Sequence, residues 1–339
     1  MIPHRTLIDA IDALVRRDPA RRGLISTEAQ LGPLCPGHLA AAASHLAEHG
    51  RHVAIVTGFF VPHARPPAAE TDGPPASLLL ASALESLGIE TTIITDRKCM
   101  TAVRAVAEAS EYPLEKLVEF PQNVPSAVDD FFAARCGKTL THLIAVERVG
   151  PSHTIESLQR QLRPGVAPRN DFESRVPVES RNRCHNMRGV VIDEHTAETY
   201  RLFDEIARHR PDAKTIGIGD GANEIGMGCV PWEELERRLE GERASRIPCR
   251  IATDWNIIAG TSNWGAYALA ASVLAIRGQA DVLRPLNRKQ QQRVLESMVA
   301  SGPAVDGVTG RQEPTVDGLP FLTYIQPWEG IRRLLGFSE

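Results

Sequence analysis

The sequence predicts an α/β fold: a doubly wound, mostly parallel sheet with helices on both faces, preceded by a helical extension at the amino terminus. Two observations predict this class. Short apolar runs rich in β-branched residues recur along the chain, and helical patterns separate several of them. Runs that are apolar throughout are typical of parallel strands buried on both faces, and strand–helix alternation is typical of doubly wound sheets.

The first 50 residues are predicted to form the helical extension. The apolar residues of a first helix recur at helical spacing, at Leu7, Ile8, Ile11, Leu14 and Val15. Residues 21–36 contain several glycines and prolines and are predicted to be irregular. An alanine-rich second helix is predicted over residues 37–49 and ends before Gly50, a common helix stop.

Five strands are predicted in the rest of the chain, at residues 53–57, 91–95, 142–146, 215–218 and 250–253. Helices are predicted at residues 75–87, at residues 100–109 and around residues 200–207. The loop over residues 58–73 is long and rich in proline, which is typical of a binding loop or a lid. No stretch has the composition of a linker, so we expect a single domain spanning residues 1–339.

The composition excludes several classes of protein. The 339 residues are 42% hydrophobic and 24% charged, a balance typical of globular proteins and not of disordered ones. The net charge of −4 and the aromatic content of 5% argue against a nucleic-acid binder. The longest apolar stretch, residues 267–276, is too short to cross a membrane.

The cysteines and the amino terminus indicate a cytoplasmic protein. Six cysteines are present without a C-x-x-C pair, and we expect all of them to be reduced thiols. The first residues do not resemble a targeting segment, since their apolar residues are periodic and interrupted by aspartates. Only five of the 38 basic residues are lysine, a bias typical of GC-rich bacteria.

The most informative run is the glycine-rich loop, residues 217–228, which follows the fourth predicted strand. Five glycines surround Asp220, Asn223 and Glu224. Glycines let backbone N–H groups approach a ligand closely, and the acids and the amide suit a metal, an ammonium or a carboxyl proton. A glycine-rich turn that joins strand to helix is the structural alternative.

Two other interpretations of this loop fit less well. A dinucleotide-binding loop would place glycine where Ala222 stands, and no acidic residue follows at an obvious strand end. A magnesium loop of phosphatases that form an aspartyl intermediate would need a D-x-D motif, and no two aspartates in the chain are spaced by one residue.

Other candidate residues follow the remaining predicted strands, where ligands of doubly wound sheets bind. Glu70, Thr71 and Asp72 precede a predicted helix, which Asp72 could also cap. Arginines are candidates for binding carboxylates, and short polar side chains are candidates for shaping a pocket. This second group comprises Glu147, Arg148, Asn186, Arg188, Asp254, Ser262 and Asn263.

Residues 45–49 match H-x-x-E-H, a zinc-peptidase signature. Histidines four residues apart on a helix can both reach a metal, but a third ligand is not identified. The pattern also lies at the end of a helix, where histidines are favoured by the helix dipole. We therefore favour a structural role for these histidines.

Several of these runs together resemble the D-glutamate cyclase family, specifically its C-terminal domain. The runs that carry the resemblance occur in the same order from about Arg22 to Trp328: PPAAETDGPPAS, ERVGPS, NMRG, GIGDGANEIGMG, IATDWNIIAGTSNWGAYALA and AVDGVTGRQEPTVDGL. The resemblance implies a lyase that interconverts D-glutamate and 5-oxo-D-proline with loss of water. It also implies a stand-alone form of that domain.

The chemistry of lactam formation suggests roles for the candidate residues. The reaction needs a base, an acid, an oxyanion-stabilising group and a grip on the α-carboxylate. We expect Asp220 or Glu224 to be the base and a protonated Asp72 to be the acid. The remaining expected roles are oxyanion binding by the amides of Gly219–Gly221 with Asn223, α-carboxylate binding by Arg148 or Arg188, and ammonium binding by Asp254 and Asn263.

Other functions remain open at this stage. A divalent metal held by the acids could replace the acid catalyst. A binding module for acidic amino acids or nucleotides would use the same residue types without turnover, and a metal-dependent phosphatase is a third interpretation. We expect a small-molecule substrate and no nucleic-acid or membrane partner, and we leave self-association open.

Overall fold

The computed structural model describes residues 4–25 and 31–337. Its strands are β1 (His52–Thr57), β2 (Phe60–Val61), β3 (Ala68–Ala69), β4 (Glu90–Asp96), β5 (Leu117–Phe120), β6 (His142–Val146), β7 (Lys214–Gly219), β8 (Trp255–Ile258), β9 (Thr315–Val316) and β10 (Leu319–Pro320). Six of them form the central sheet, in the order β5-β4-β1-β6-β7-β8. Every neighbouring pair in this sheet is parallel. The predicted doubly wound fold is therefore confirmed.

The helices are α1 (His4–Val15), α2 (His38–His49), α3 (Pro74–Glu85), α4 (Met100–Ala109), α5 (Ala127–Ala133), α6 (Arg135–Lys138), α7 (Ile155–Arg160), α8 (Arg169–Arg175), α9 (Tyr200–His209), α10 (Trp232–Arg238), α11 (Ser262–Ile276), α12 (Arg288–Ser301), α13 (Phe321–Tyr324) and α14 (Gln326–Leu334). The predicted helices correspond to α1, α2, α3, α4 and α9, with ends that differ by a few residues. Residues 26–30 of the predicted irregular stretch lie outside the described residues.

Each face of the sheet has its own hydrophobic core. Along β1, Val53 and Ile55 point into the larger core, which includes α1, α2, α3 and α11. Ala54 and Val56 point to the opposite face, where α5, α9 and α10 form a second core. Side chains alternate between the two faces of a strand, so a strand covered on both faces must be apolar at every position. This explains the uninterrupted apolar runs.

Helix α11 lies in the middle of the larger core. Fourteen of its fifteen residues are buried, and most of them are small. Small side chains let the helix axis approach the sheet: a Cβ atom added at Gly265 would lie 2.5 Å from Ile218 Cγ2 on β7. The sequence of α11 shows no amphipathic pattern because the helix has no solvent-facing side.

One predicted strand is wrong, and two strands of the central sheet, β5 and β8, are missed. Residues 250–253 do not join the sheet; the sixth strand is β8, a few residues later. Ala252 instead forms isolated bridges with Gly226 and Met227 of the glycine-rich loop. The other missed strand is the edge strand β5, which is only half-buried. The long loop over residues 58–73 contains the two-stranded ribbon β2–β3.

Within residues 4–25 and 31–337, every helix is too short or too polar to span a lipid bilayer.

We predict that Gly265→Ala lowers the free energy of unfolding by about 1–3 kcal/mol, because the new methyl group would press α11 away from Ile218. Chemical denaturation measures the change. Gly32→Ala is the matched control, since a Cβ atom there would meet none of the described atoms within 4 Å. Equal stability of the two variants would contradict the tight packing of α11 on the sheet.

Candidate active site

A small cavity lies at the carboxyl ends of β1 and β6. From β1 the sheet continues through β4 to one edge, and from β6 it continues through β7 to the other. Ligands of doubly wound sheets bind at this point of reversal. The cavity has a volume of about 160 Å³. Its lining residues are Arg22, Phe59, Val61, His63, Glu70, Glu147, Asn186, Met187, Arg188, Asp220, Asn223, Glu224, Gly307 and Val308.

Two buried helices begin beside this cavity and cap each other. The carboxylate of Asp72, just before α3, accepts hydrogen bonds from the backbone N–H groups of Ser262 (2.7 Å) and Asn263 (2.9 Å) at the start of α11. The side-chain oxygen of Asn263 in turn accepts from the N–H groups of Gly73 (3.2 Å) and Ala76 (3.0 Å). We call this arrangement the reciprocal cap. It joins the amino termini of α3 and α11.

Glu147 follows β6 and lies at the base of the cavity. Its φ angle is +48°, in the left-handed region that side-chain-bearing residues seldom adopt. Its carboxyl group accepts a hydrogen bond of 2.6 Å from Ser262 Oγ, so the first residue of α11 orients it. A strained backbone held by its surroundings is common at functional sites. The geometry therefore makes Glu147 a stronger candidate for a chemical role than the sequence indicated.

The glycine-rich loop supplies the opposite wall. Both carboxyl oxygens of Glu224 accept from the backbone N–H of Gly221, at 3.0 and 3.1 Å. The side-chain nitrogen of Asn223 donates to the carbonyl of His185 (3.0 Å), while its oxygen has no described partner. A Cβ atom at Gly221 would lie 2.8 Å from both Asn223 Oδ1 and Glu224 Oε1. Glycine is thus required here by the close approach of both side chains.

Arg22 enters the cavity from the segment between α1 and α2. Its guanidinium group forms ion pairs with Asp220 and with Asp317, the latter at 2.7 Å. Asp317 lies in the turn between β9 and β10 and is buried. Neither Arg22 nor Asp317 is among the site residues predicted from the sequence. A possible signal for Asp317 was the Val-Asp-Gly triplet, which occurs twice, at residues 305–307 and 316–318.

The position of Asp317 in the second triplet depends on Asp306 in the first. Asp306 is fully buried, and its carboxylate accepts from Thr315 Oγ1 and from the N–H groups of Val308 and Gly318. These bonds fold the loop between α12 and β9 so that it presents Asp317 to Arg22. The same loop places Gly307 against Glu70, where a Cβ atom would overlap the carboxyl group.

Six buried carboxyl groups surround the cavity: Glu70, Asp72, Glu147, Asp220, Glu224 and Asp317. Burial and the charge of Glu224 raise the pKa of Glu147 to about 8, although Arg22 opposes the shift. Burial raises the pKa of Glu224 to about 7, again against Arg22. Burial also raises the pKa values of the Glu70, Asp72 and Asp220 carboxyls well above their usual range. The site therefore holds carboxyl groups that can donate hydrogen bonds near neutral pH.

Three of these acids have a spacing that could also accommodate a divalent cation. Asp72, Glu147 and Asp220 each offer one oxygen, and the three oxygens lie within 4.8 Å of one another. Oxygen ligands of this type suit Mg²⁺ or Mn²⁺. In this structure the guanidinium of Arg22 supplies the positive charge beside Asp220.

The structure brings together most of the predicted site residues. Glu70, Glu147, Asn186, Arg188, Asp220, Asn223 and Glu224 line the cavity. Asp72, Ser262 and Asn263 lie behind the lining in the reciprocal cap. Thr71 is buried, and its hydroxyl donates to the carbonyl of Thr315, so it supports the neighbouring loop. Asn186 accepts from the N–H groups of Arg188 and Val190 and so shapes the turn that carries Arg188.

Several predicted roles do not fit the geometry, including ammonium binding by Asn263, whose side-chain oxygen is occupied in the reciprocal cap. Asp254 lies at the amino end of β8, where its carboxylate accepts a hydrogen bond from the N–H of Thr215 (2.8 Å). The cavity lies at the carboxyl ends of the strands, so Asp254 is at the opposite end of the strands from the cavity. The error follows from the wrong strand at residues 250–253. The N–H of Gly221 is already bound to Glu224, which removes it from an oxyanion hole. The neighbouring Gly219 lies at the end of β7, where an added Cβ atom would lie 2.9 Å from Glu224 Oε2.

Arg148 is another residue whose predicted role does not fit. Its side chain is fully buried and forms an ion pair of 2.8 Å with Asp96. It also donates to the hydroxyl of Thr199 and to the carbonyls of Gly58 and Ala197. Arg148 is absent from the lining of the cavity, and its partners show that it fastens loops together. Of the two arginines predicted to bind a carboxylate, the exposed Arg188 is the one at the cavity.

The H-x-x-E-H histidines lie away from the cavity, near the amino ends of the strands. His45 Nδ1 is 2.9 Å from Nε2 of His142, the first residue of β6. The ring of His45 also packs against those of His49 and Trp255. The contacts are those of a packed histidine cluster.

Comparison with known proteins supplies the family. The sequence profile described as "D-glutamate cyclase-like, C-terminal" matches residues 11–158 and 174–332. The protein "D-glutamate cyclase, mitochondrial" from Homo sapiens is 27% identical to this chain over 274 residues. The matched region covers 78% of this chain and 38% of the human protein, so the chain corresponds to well under half the length of that relative.

We predict that Arg148→Met lowers the free energy of unfolding by about 3–5 kcal/mol, because it leaves Asp96 buried without its ion-pair partner. Arg188→Met is the control, and its effect should stay within about 0.5 kcal/mol because the side chain is exposed. Denaturant titration of both variants makes the comparison. A stable Arg148→Met protein would mean that Arg148 is not the structural residue described above.

Proposed function

The chain belongs to the D-glutamate cyclase-like family, and we propose that it is a hydro-lyase that interconverts D-glutamate and 5-oxo-D-proline with loss of water. The observation that carries the proposal is the pair Glu147 and Glu224. Both line one small cavity, and their pKa values of about 8 and about 7 suit an acid and a base that work near neutral pH. We also propose that the protein acts in the cytoplasm.

The reaction has definite requirements. A bond forms between the substrate nitrogen and the carbon of the γ-carboxyl group, and a C–O bond of that carboxyl group breaks. Two protons leave the ammonium group, and two protons reach the departing oxygen, which leaves as water. A base must therefore accept a proton from nitrogen, and an acid must deliver one to oxygen.

Glu224 is the proposed base. A carboxylate with a pKa of about 7 is ionised to a useful extent at neutral pH and is a stronger base than an ordinary glutamate. The bonds from the Gly221 N–H fix the orientation of its carboxyl group toward the cavity. Asn223 Oδ1, which has no described partner, can accept a hydrogen bond from the substrate ammonium.

Glu147 is the proposed acid, in place of Asp72. Both oxygens of Asp72 accept backbone N–H bonds of the reciprocal cap, and Asp72 does not line the cavity. Glu147 does line it and is largely protonated at neutral pH. Asp72 then acts indirectly, since the cap positions Ser262 and Ser262 positions Glu147.

Glu70 and two arginines complete the proposed site. Glu70 Oε1 has no described partner and lies at the cavity, and burial keeps its pKa well above the usual range. A protonated Glu70 can donate a hydrogen bond to the oxyanion. Arg188 at the rim can bind the α-carboxylate, and Arg22 offsets the negative charge of the acids.

The cavity argues against the phosphate-based alternatives. Its volume of about 160 Å³ is below the roughly 300–1,000 Å³ of pockets for drug-sized ligands, which favours a small metabolite over a nucleotide. A module that binds an acidic amino acid without turnover is the alternative that the geometry leaves open.

Incubation with D-glutamate or with 5-oxo-D-proline, followed by chiral chromatography, tests the proposal. Interconversion supports it, and the L-enantiomers serve as controls for stereochemical preference. If the protein binds these compounds but converts neither of them, whether or not Mg²⁺ or Mn²⁺ is added, it is a binding module and not an enzyme. Turnover only with a cation would assign the acid's role to a metal at Asp72, Glu147 and Asp220.

We predict that Glu224→Gln lowers kcat by about 10²-fold or more, because glutamine cannot accept the proton from the substrate nitrogen. Steady-state kinetics with verified folding measures the loss. Glu240→Gln, at an exposed position, is the control and should keep full activity. Equal rates for the two variants would exclude Glu224 as the base.

The pH dependence of kcat/KM should be bell-shaped. Glu224 must be deprotonated, so the rate rises as the pH passes about 7; Glu147 must be protonated, so the rate falls above about 8. Glu147→Gln should remove the decline at high pH and lower the maximum rate. A decline that is unchanged in this variant would show that another group supplies the proton.

A further inference from the structure

Two cysteines on different segments lie in contact. The Sγ atoms of Cys35, just before α2, and Cys229, directly after the glycine-rich loop, are 3.6 Å apart although 194 positions separate them in the chain. A movement of about 1.5 Å would bring the sulfur atoms to the disulfide bond length of about 2.05 Å. We propose that Cys35 and Cys229 form a reversible disulfide and so constitute an oxidation site of this protein.

Both thiols are accessible to an oxidant. Each cysteine is half-buried, and both line a surface cavity of about 460 Å³ on the side of the glycine-rich loop. By contrast, Cys99, Cys184 and Cys249 are buried. Accessible thiols are the ones that small oxidants modify. The pair is therefore better placed for oxidation than these three cysteines.

The surroundings of the two thiols differ, which assigns them different roles. The hydrogen bond with Cys229 and the charge of Arg16 lower the pKa of Cys35 despite its burial. The guanidinium group of Arg16 is held there by bonds to the carbonyls of Leu34 (2.9 Å) and Cys35 (3.3 Å). The same thiol contact and burial raise the pKa of Cys229. Because the Arg16 guanidinium lies beside Cys35, we take Cys35 as the attacking thiolate and Cys229 as the resolving thiol.

The chemistry needs a named oxidant, either hydrogen peroxide or a small-molecule disulfide. With peroxide, the Cys35 thiolate attacks one oxygen, the O–O bond breaks, and a sulfenic acid and water result. The Cys229 sulfur then attacks the Cys35 sulfur, the S–O bond breaks, and a second water leaves. The two thiols lose two electrons and two protons, and peroxide is reduced to two waters.

The bond would fasten the amino-terminal extension to the glycine-rich loop. Cys35 belongs to the connection between α1 and α2 that also carries Arg22, and Cys229 follows the loop that carries Asp220 and Glu224. The proposed disulfide would therefore join the same two chain segments that the ion pair between Arg22 and Asp220 joins. The oxidation site itself does not depend on the proposed function.

Peptide mapping tests the proposal on the intact protein. The reduced protein is treated with equimolar hydrogen peroxide or excess oxidised glutathione, alkylated with N-ethylmaleimide, digested and analysed by mass spectrometry. We expect a peptide pair joined through Cys35 and Cys229, lighter by two hydrogen atoms and restored by dithiothreitol. Closing so long a loop should also raise Tm by roughly 5 °C.

Two single variants separate this outcome from general thiol oxidation. Cys229→Ser should leave a stable glutathione adduct on Cys35, because the resolving thiol is absent. Cys136→Ser removes another half-buried cysteine and should form the disulfide as the unmodified protein does. The proposal is overturned if the unmodified protein keeps both thiols alkylated in full, or if it accumulates the same Cys35 adduct as Cys229→Ser.

Discussion

The reciprocal cap between Asp72 and Asn263 is the interaction on which the rest of the site depends. Helices α3 and α11 are both buried, and their first N–H groups would be costly without partners. Asp72, just before α3, accepts from the first N–H groups of α11, and Asn263, near the start of α11, accepts from an N–H group in the first turn of α3. The cap thereby fixes Ser262, and Ser262 holds Glu147 at the base of the cavity. Helix ends with partial positive charge also suit a site built from carboxyl groups.

The second constraint is electrostatic. Six buried carboxyl groups around one cavity cannot all be ionised at neutral pH, because burial and mutual repulsion favour the neutral form. Arg22 relieves part of this repulsion by pairing with Asp220 and Asp317. The burial and repulsion that Arg22 does not offset leave Glu147 and Glu224 with pKa values near neutrality. The same feature that costs stability therefore provides groups suited to proton transfer.

The sequence predicted much of the fold because the signals for it are local. Apolar runs located β1, β4, β6 and β7, since a strand covered on both faces is apolar throughout. Residues 250–253 gave the same signal falsely: Ile251 and Ala252 are buried or paired against the glycine-rich loop and not in the sheet. Edge strand β5 gave a weaker signal because it is only half-buried. Periodicity reports burial, and burial alone does not say which neighbour a segment pairs with.

The sequence by itself determined the fold class, the family resemblance and most of the acidic and amide residues around the cavity, because those residues occur in compact motifs. The tertiary structure alone decided which arginine serves which purpose. Arg148 follows a strand as a binding residue would, yet it is buried against Asp96. Arg22 lies in an irregular stretch nearly 200 positions before Asp220 and still reaches it. Contacts between distant segments depend on how α1, α2 and the loops pack, and local sequence patterns do not encode that packing.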